Sequence, residues 1–377
     1  MLPISRIFGI EGKQNNNKTE IAEVEQKEIS WLQQGGGFDT VDFKNTKTIT
    51  KGEKFEDVFA EFDKNVPDQT STTEDKEKAI SYIKRMLECE DITPELKNYW
   101  TNKKNVIEME IQSIKNQQSN GGENWHDIAK EFHEFNQKYW VENVLNDKAG
   151  LNNLDFNDAQ EYYNTVRRTM ISYCDRILDC LDLPNDMREF YQNQKLSFMA
   201  DLNYYATESN HYKQTNGQKT ESFNDVIAEM RQNVPDSTST ISEKQLALSY
   251  IERMLSCDDI PNAEYWENKR TVIEMEIQNI KNEQQINQGE KVEDVWKEFQ
   301  EFQKNYLNSL NDNMSIEQKF ENRAAYYNAI FSFVARLVNC TDVTESQMAA
   351  FSNLEYQADI DLTGWERDFE EYQKYSS

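Results

Sequence analysis

The sequence predicts an all-α protein built from four tandem, diverged three-helix units of about 80 residues each, behind an N-terminal tail. Three observations carry the prediction. The chain repeats itself after 168 residues, its apolar residues recur at helical spacing, and its 377 residues include only 12 Gly and 6 Pro. Few turn formers beside plentiful Glu, Lys, Gln, Leu, Met and Ala favour helix over a strand-rich fold. Mean hydropathy is −0.89, yet 12% aromatic residues supply material for a core, so the polarity belongs to solvated helix faces.

The self-similarity is plainest between FEDVFAEF at 55–62 and FNDVIAEM at 223–230. It continues through SYIKRMLEC at 81–89 and SYIERMLSC at 249–257, and VIEMEIQ occurs identically at 106–112 and 272–278. Each half is itself a fainter pair, since the opening pattern returns as WHDIAKEF at 125–132 and VEDVWKEF at 292–299. A closing pattern of Arg, two apolar residues, any residue, Cys, any residue and Asp occurs four times, beginning at Arg85, Arg176, Arg253 and Arg336. The expected units are therefore 53–120, 121–215, 216–288 and 289–377, two duplicated halves arranged as a solenoid-like stack or as two helical lobes.

The first helix of each unit shows the i, i+3, i+4, i+7 stripe, as in Phe55, Val58, Phe59 and Phe62, which places them on one face. Asp57, Asp127, Asp225 and Asp294 fall in its first turn, where a carboxylate is favoured by exposed backbone amides. The second helix opens at a capping box, with Ser71 and Glu74, Thr240 and Glu243, or Ser315 and Gln318 satisfying reciprocal donors, and it ends at the repeated Cys. Second helices should be longer in units two and four. The Tyr162-Tyr163 to Cys180 spacing, four residues longer than Tyr326-Tyr327 to Cys340, suggests one extra turn in unit two. The third helix follows the repeated Asp and carries Trp100, Ile107, Ile111 and Ile114. Linkers are expected at 117–124, 206–221 and 282–290.

Residues 1–52 stand outside the repeat, with an Asn15-Asn16-Asn17 run, a Gly35-Gly36-Gly37 run and no partner copy, and read as a flexible tail. Within it, residues 21–32 place Ile21, Val24, Trp31 and Leu32 as a short amphipathic helix. The tail holds seven basic and seven acidic residues, so the whole formal charge of −27 lies in 53–377. Such a body repels nucleic-acid backbones and anionic lipid, whose binding needs Lys and Arg. No apolar run approaches the length of a membrane helix, and the expected compartment is the cytoplasm.

Residues that carry chemistry elsewhere have structural readings here. Four of five cysteines, Cys89, Cys180, Cys257 and Cys340, occupy one equivalent place, without the paired spacing of a zinc site, and read as small buried helix-end residues. His126, His133 and the single Glu208-x-x-His211 match, which falls in an expected linker, lack the partners a metal site requires. Glu108 and Glu110, like Glu274 and Glu276, lie two residues apart and point to different sides of a helix, so they read as solvated faces. No nucleophile elbow, phosphate loop or dinucleotide fingerprint occurs, and no metal or cofactor is expected. The best contact candidates are Tyr99, Trp100, Tyr265 and Trp266, since Trp and Tyr anchor interfaces, together with Ile21, Val24 and Trp31 of the tail. The expected function is a non-catalytic scaffold or adaptor that binds a protein partner. The alternatives are a bacterial or phage exported effector with an uncleaved N-terminal address, and a helical enzyme with an unfamiliar carboxylate site present in one copy only.

Overall fold

A computed structural model describes residues 52–66, 72–118, 122–235, 237–286, 288–309 and 314–376. Among them it contains twelve α-helices and no strand. In chain order these are α1 (Phe55–Asn65), α2 (Thr73–Leu87), α3 (Pro94–Gln117), α4 (Trp125–Phe135), α5 (Phe156–Leu178), α6 (Asn185–Thr215), α7 (Phe223–Asn233), α8 (Ile241–Leu255), α9 (Ala263–Gln285), α10 (Val292–Ser309), α11 (Ile316–Val338) and α12 (Glu345–Ser376). The repeated Arg and Cys fall at the ends of α2, α5, α8 and α11. The chain divides into two compact units between Phe198 and Met199, inside α6. The duplication boundary lies elsewhere, because the second part of α6 packs with the helices that follow it: Asn203 and Asn210 each bond a serine of the α8 region.

The helix starts follow capping chemistry. Thr240 accepts from the Glu243 amide while Glu243 reaches back, and Ser315 does the same with Gln318, so two expected capping boxes form. At α2 the cap is Thr72, which accepts from the Asp75 amide; Ser71 lies outside the described residues. Asp57, Asp127, Asp225 and Asp294 all fall in the first turns of their helices.

Several boundaries differ from the sequence reading. The helix α6 continues to Thr215 and α9 to Gln285, which shortens the linkers expected at 206–221 and 282–290. Polar runs such as 206–215 contain no Gly or Pro, and tertiary burial of Asn210 keeps them helical. The second helices of units two and four are longer than those of one and three, 23 residues against 15. The expected extra turn in unit two is absent, since α5 and α11 are equally long. The tyrosine pair has moved one turn along the helix, which keeps it near the same face. The run at 106–111, which alternates as a strand would, lies within α3.

The core of each repeat sits between its first, second and third helices. In the first repeat Val58, Ile83, Met86, Cys89 and Trp100 are buried together. In the fourth, Val295, Phe299, Phe333, Leu337, Cys340 and Phe351 form the equivalent cluster. Burying each such side chain contributes roughly 1.5–3 kcal/mol.

Candidate functional sites

The residue set that recurs in every unit builds one local device. Each repeated arginine reaches back from the second helix to grip two carboxylates of its own unit. Arg85 bonds Glu53 and Glu61, at 2.6 and 2.8 Å. Arg176 bonds Glu123 and Glu131, Arg253 bonds Glu221 and Glu229, and Arg336 bonds Glu290 and Glu298. One carboxylate of each pair lies just before the first helix and the other sits on it, so the guanidinium fixes the entry of the first helix against the second. A planar fork meeting a carboxylate with two parallel bonds suits Arg and not Lys. Hydrogen bonding to Arg85 holds the Glu53 carboxyl below its usual range. Burial alone would raise Glu221, but the bonds from Arg253 prevail and lower it.

The rest of the pattern completes the device. The repeated Asp caps the first helix from across the unit. Asp91 accepts from the Phe55 amide at 2.9 Å, Asp259 from Phe223 at 2.8 Å and Asp342 from Val292 at 2.8 Å. The four cysteines are buried and free, and each thiol donates to the carbonyl of the arginine four residues earlier. Burial pushes the Cys257 thiol up to about 11, and it raises Cys89, Cys180 and Cys340 as well. A thiol held protonated is a poor nucleophile and a poor metal ligand.

A second recurrent cluster joins consecutive units. Asn116 at the end of α3 donates to Ser172 on α5 at 2.9 Å and accepts from Arg176 at 3.2 Å. Asn282 at the end of α9 does the same to Ser332 and Arg336, at 3.0 and 2.8 Å. Asn203 on α6 bonds Ser249 and Arg253 at 3.0 and 2.9 Å. Asn116, Asn203 and Asn282 are buried. Sequence reading missed all three, because an Asn on a polar helix looks like surface; the signal present was Lys-Asn at 115–116 and at 281–282.

The carboxylates read as solvated faces are engaged. The nearly buried Lys76 and Lys244 bond Glu110 and Glu276 at 2.5 and 2.7 Å, tying second helix to third in both halves. Glu108 bonds Lys104 at 3.0 Å and the Tyr139 hydroxyl at 2.9 Å, with Lys138 at 3.4 Å. Burial would raise Glu108, but the two lysines and Tyr139 lower it instead. Tyr139 lies in a π-helical continuation of α4, Asn136–Leu145. It is a neutralised acid rather than a convergent set of acids.

The contact candidates divide by burial. Trp100 is 9% exposed and packs edge-on to Phe62 and against Phe59, so it is core. Trp266 is half-buried against Phe223. Tyr99 and Tyr265, also half-buried, lie beneath Lys103 and Lys269. Ile21, Val24 and Trp31 lie outside the described residues. His126 and His211 are exposed and His133 half-buried. Glu208 and His211 stand on α6, not in a linker. Among the described residues no group of His, Cys, Asp or Glu is arranged to hold a metal ion, and no helix is long and apolar enough to cross a membrane.

No known family, curated protein or solved structure matches the chain. Its function must therefore be argued from its own residues.

Proposed function

We propose that this chain is a non-catalytic helical-repeat protein that mediates protein–protein interaction through its acidic body. The observation that carries the reading is the use made of the repeated residues. Arginine, glutamate, aspartate, cysteine and asparagine at the equivalent positions are spent on holding helices together. Exposed side chains outside this set differ between the units, and a varied surface on a shared frame is what a repeat protein can present to a partner. The formal charge of −27 favours a partner with a basic face, and complementary charge raises association rate and makes it salt-sensitive. Five buried free thiols support a reducing compartment.

The test uses the full chain as bait in an extract of its native source, beside a variant with Ile21, Val24 and Trp31 changed to alanine. A stoichiometric, basic partner that elutes as ionic strength rises supports the reading. Loss of that partner from the variant places part of the contact in the tail. Recovery of nothing by either bait, or capture that salt does not affect, contradicts it.

A further inference from the structure

One of the four second helices is uncovered among the described residues. On α5, α8 and α11 the junction serine is buried, at Ser172, Ser249 and Ser332. The residue one turn earlier, Thr169, Leu246 or Ala329, has no exposure at all. On α2 the corresponding Ser81 and Lys78 are both exposed. Ser81 turns its hydroxyl onto the Lys78 carbonyl at 2.7 Å, and Arg85 has its two glutamates but no asparagine among the described residues.

The chain carries an asparagine at the matching place in its sequence. Lys44-Asn45-x-x-x-Ile49-x-x-Gly52-Glu53-Lys54 reads against Lys281-Asn282-x-x-x-Ile286-x-x-Gly289-Glu290-Lys291, and over 44–58 nine of fifteen residues are identical. Thus the tail lacks a partner copy only up to about residue 43. The backbone confirms the register where both copies are described: Gly52 and Gly289 each take a positive φ, of 109° and 77°. Each is followed by the glutamate that its arginine grips. Six residues separate Asn45 from Gly52 and six separate Asn282 from Gly289, so the tether is as long as the one that seats Asn282.

We infer that the open face of α2 is a docking site for the chain's own segment 44–51, with Asn45 donating its amide to Ser81 Oγ and accepting from Arg85. The fit ends near Asn45. Beyond it, exposed Lys78 and Glu74 replace the buried Ala329 and Ala325, so α2 provides a polar end surface there, of the kind terminal repeats need for solubility. The inference is independent of any external partner.

The test is hydrogen exchange in the full-length protein, comparing Asn45→Ala, Ser81→Ala, the double variant and a Lys47→Ala control. One buried hydrogen bond of ordinary strength predicts roughly three- to tenfold faster exchange for the backbone amides around Arg85 in Asn45→Ala. The double variant should add little to Ser81→Ala, because residues sharing a bond are not additive. Asn282→Ala should give a like or larger effect at the amides around Arg336. If Asn45→Ala matches Lys47→Ala, or if the two single effects simply add, the site is empty and the inference falls. If the protection depends on protein concentration, the occupant is another copy and docking within one chain is wrong.

Discussion

The first and fourth repeats hold the same arginine clamp in different surroundings. In both, the two gripped carboxylates are equally exposed, at 27% and 53%. The arginines are not: Arg336 has 1% of its side chain exposed and Arg85 has 28%. The covering group is Asn282, delivered by the end of α9, together with the buried Ser332 to which it is bonded. Among the described residues one motif is therefore a partly solvated brace in the first repeat and a clamp about a fully buried arginine in the fourth. Losing Arg336 also takes a charged donor from the fully buried Asn282, whereas an exposed pair contributes little.

The largest effect should follow from breaking the buried clamp. Arg336→Met is expected to destabilise the fourth repeat by about 2–3 kcal/mol, the scale of lost hydrogen bonds to a buried charged group, read by denaturant unfolding. With Asn45→Ala removing the proposed cover, Arg85→Met should add roughly 1 kcal/mol or less in the first repeat. Next, Asn282→Ala takes from Ser332 its amide donor, leaving Ser332 its bond to the Ala329 carbonyl, and takes from one Arg336 nitrogen one of its two acceptors, which should cost about 1–3 kcal/mol. Asn116→Ala should behave alike, because Asn116 makes the same two bonds to Ser172 and Arg176.

Acid sharpens the comparison further. Glu53, Glu221 and Glu108 are all held below the ordinary carboxylate range. Each therefore contributes stability that is present above its unfolded value, near pH 4, and lost as pH falls through its lower folded value. Unfolding followed by circular dichroism should change little from neutral pH to about pH 5 and weaken steeply below pH 4. The smallest effect concerns the thiols. With Cys257 raised to about 11, the native protein should resist alkylation at pH 8, and all five cysteines should react after denaturation. Prompt reaction of one thiol in the native protein would assign it a role beyond packing.

Much of the fold was legible because helices announce themselves locally. The stripe at Phe55, Val58 and Phe62 and the boxes at Thr240 and Ser315 depend on residues within two turns of each other, and so did the buried cysteines at the ends of their helices. What the sequence hid depends on distant partners. Glu110 looks solvated until Lys76, 34 residues away, is seen to bond it. Asn116 looks like a surface residue until Ser172 closes on it across 56 residues. The polar run at 206–215 resembles a linker, and only the burial of Asn210 beside Ser256 explains its helix. Trp100 and Tyr99 are adjacent in sequence, yet a helix turns one into the core and leaves the other half-exposed, a distinction that pairing them as contact candidates obscured.

The central claim is that the end of one repeat's third helix buries the next repeat's clamp. The measurement that tests it most directly compares Arg336→Met in the native background and in Asn282→Ala by hydrogen exchange at the amides of α11, under conditions where the repeat remains folded. A loss of protection in the native background larger than that in Asn282→Ala by tenfold or more, or about 1.4 kcal/mol, is the predicted result. Equal losses would contradict it, since the clamp would then hold its repeat alike whether or not an asparagine covers it.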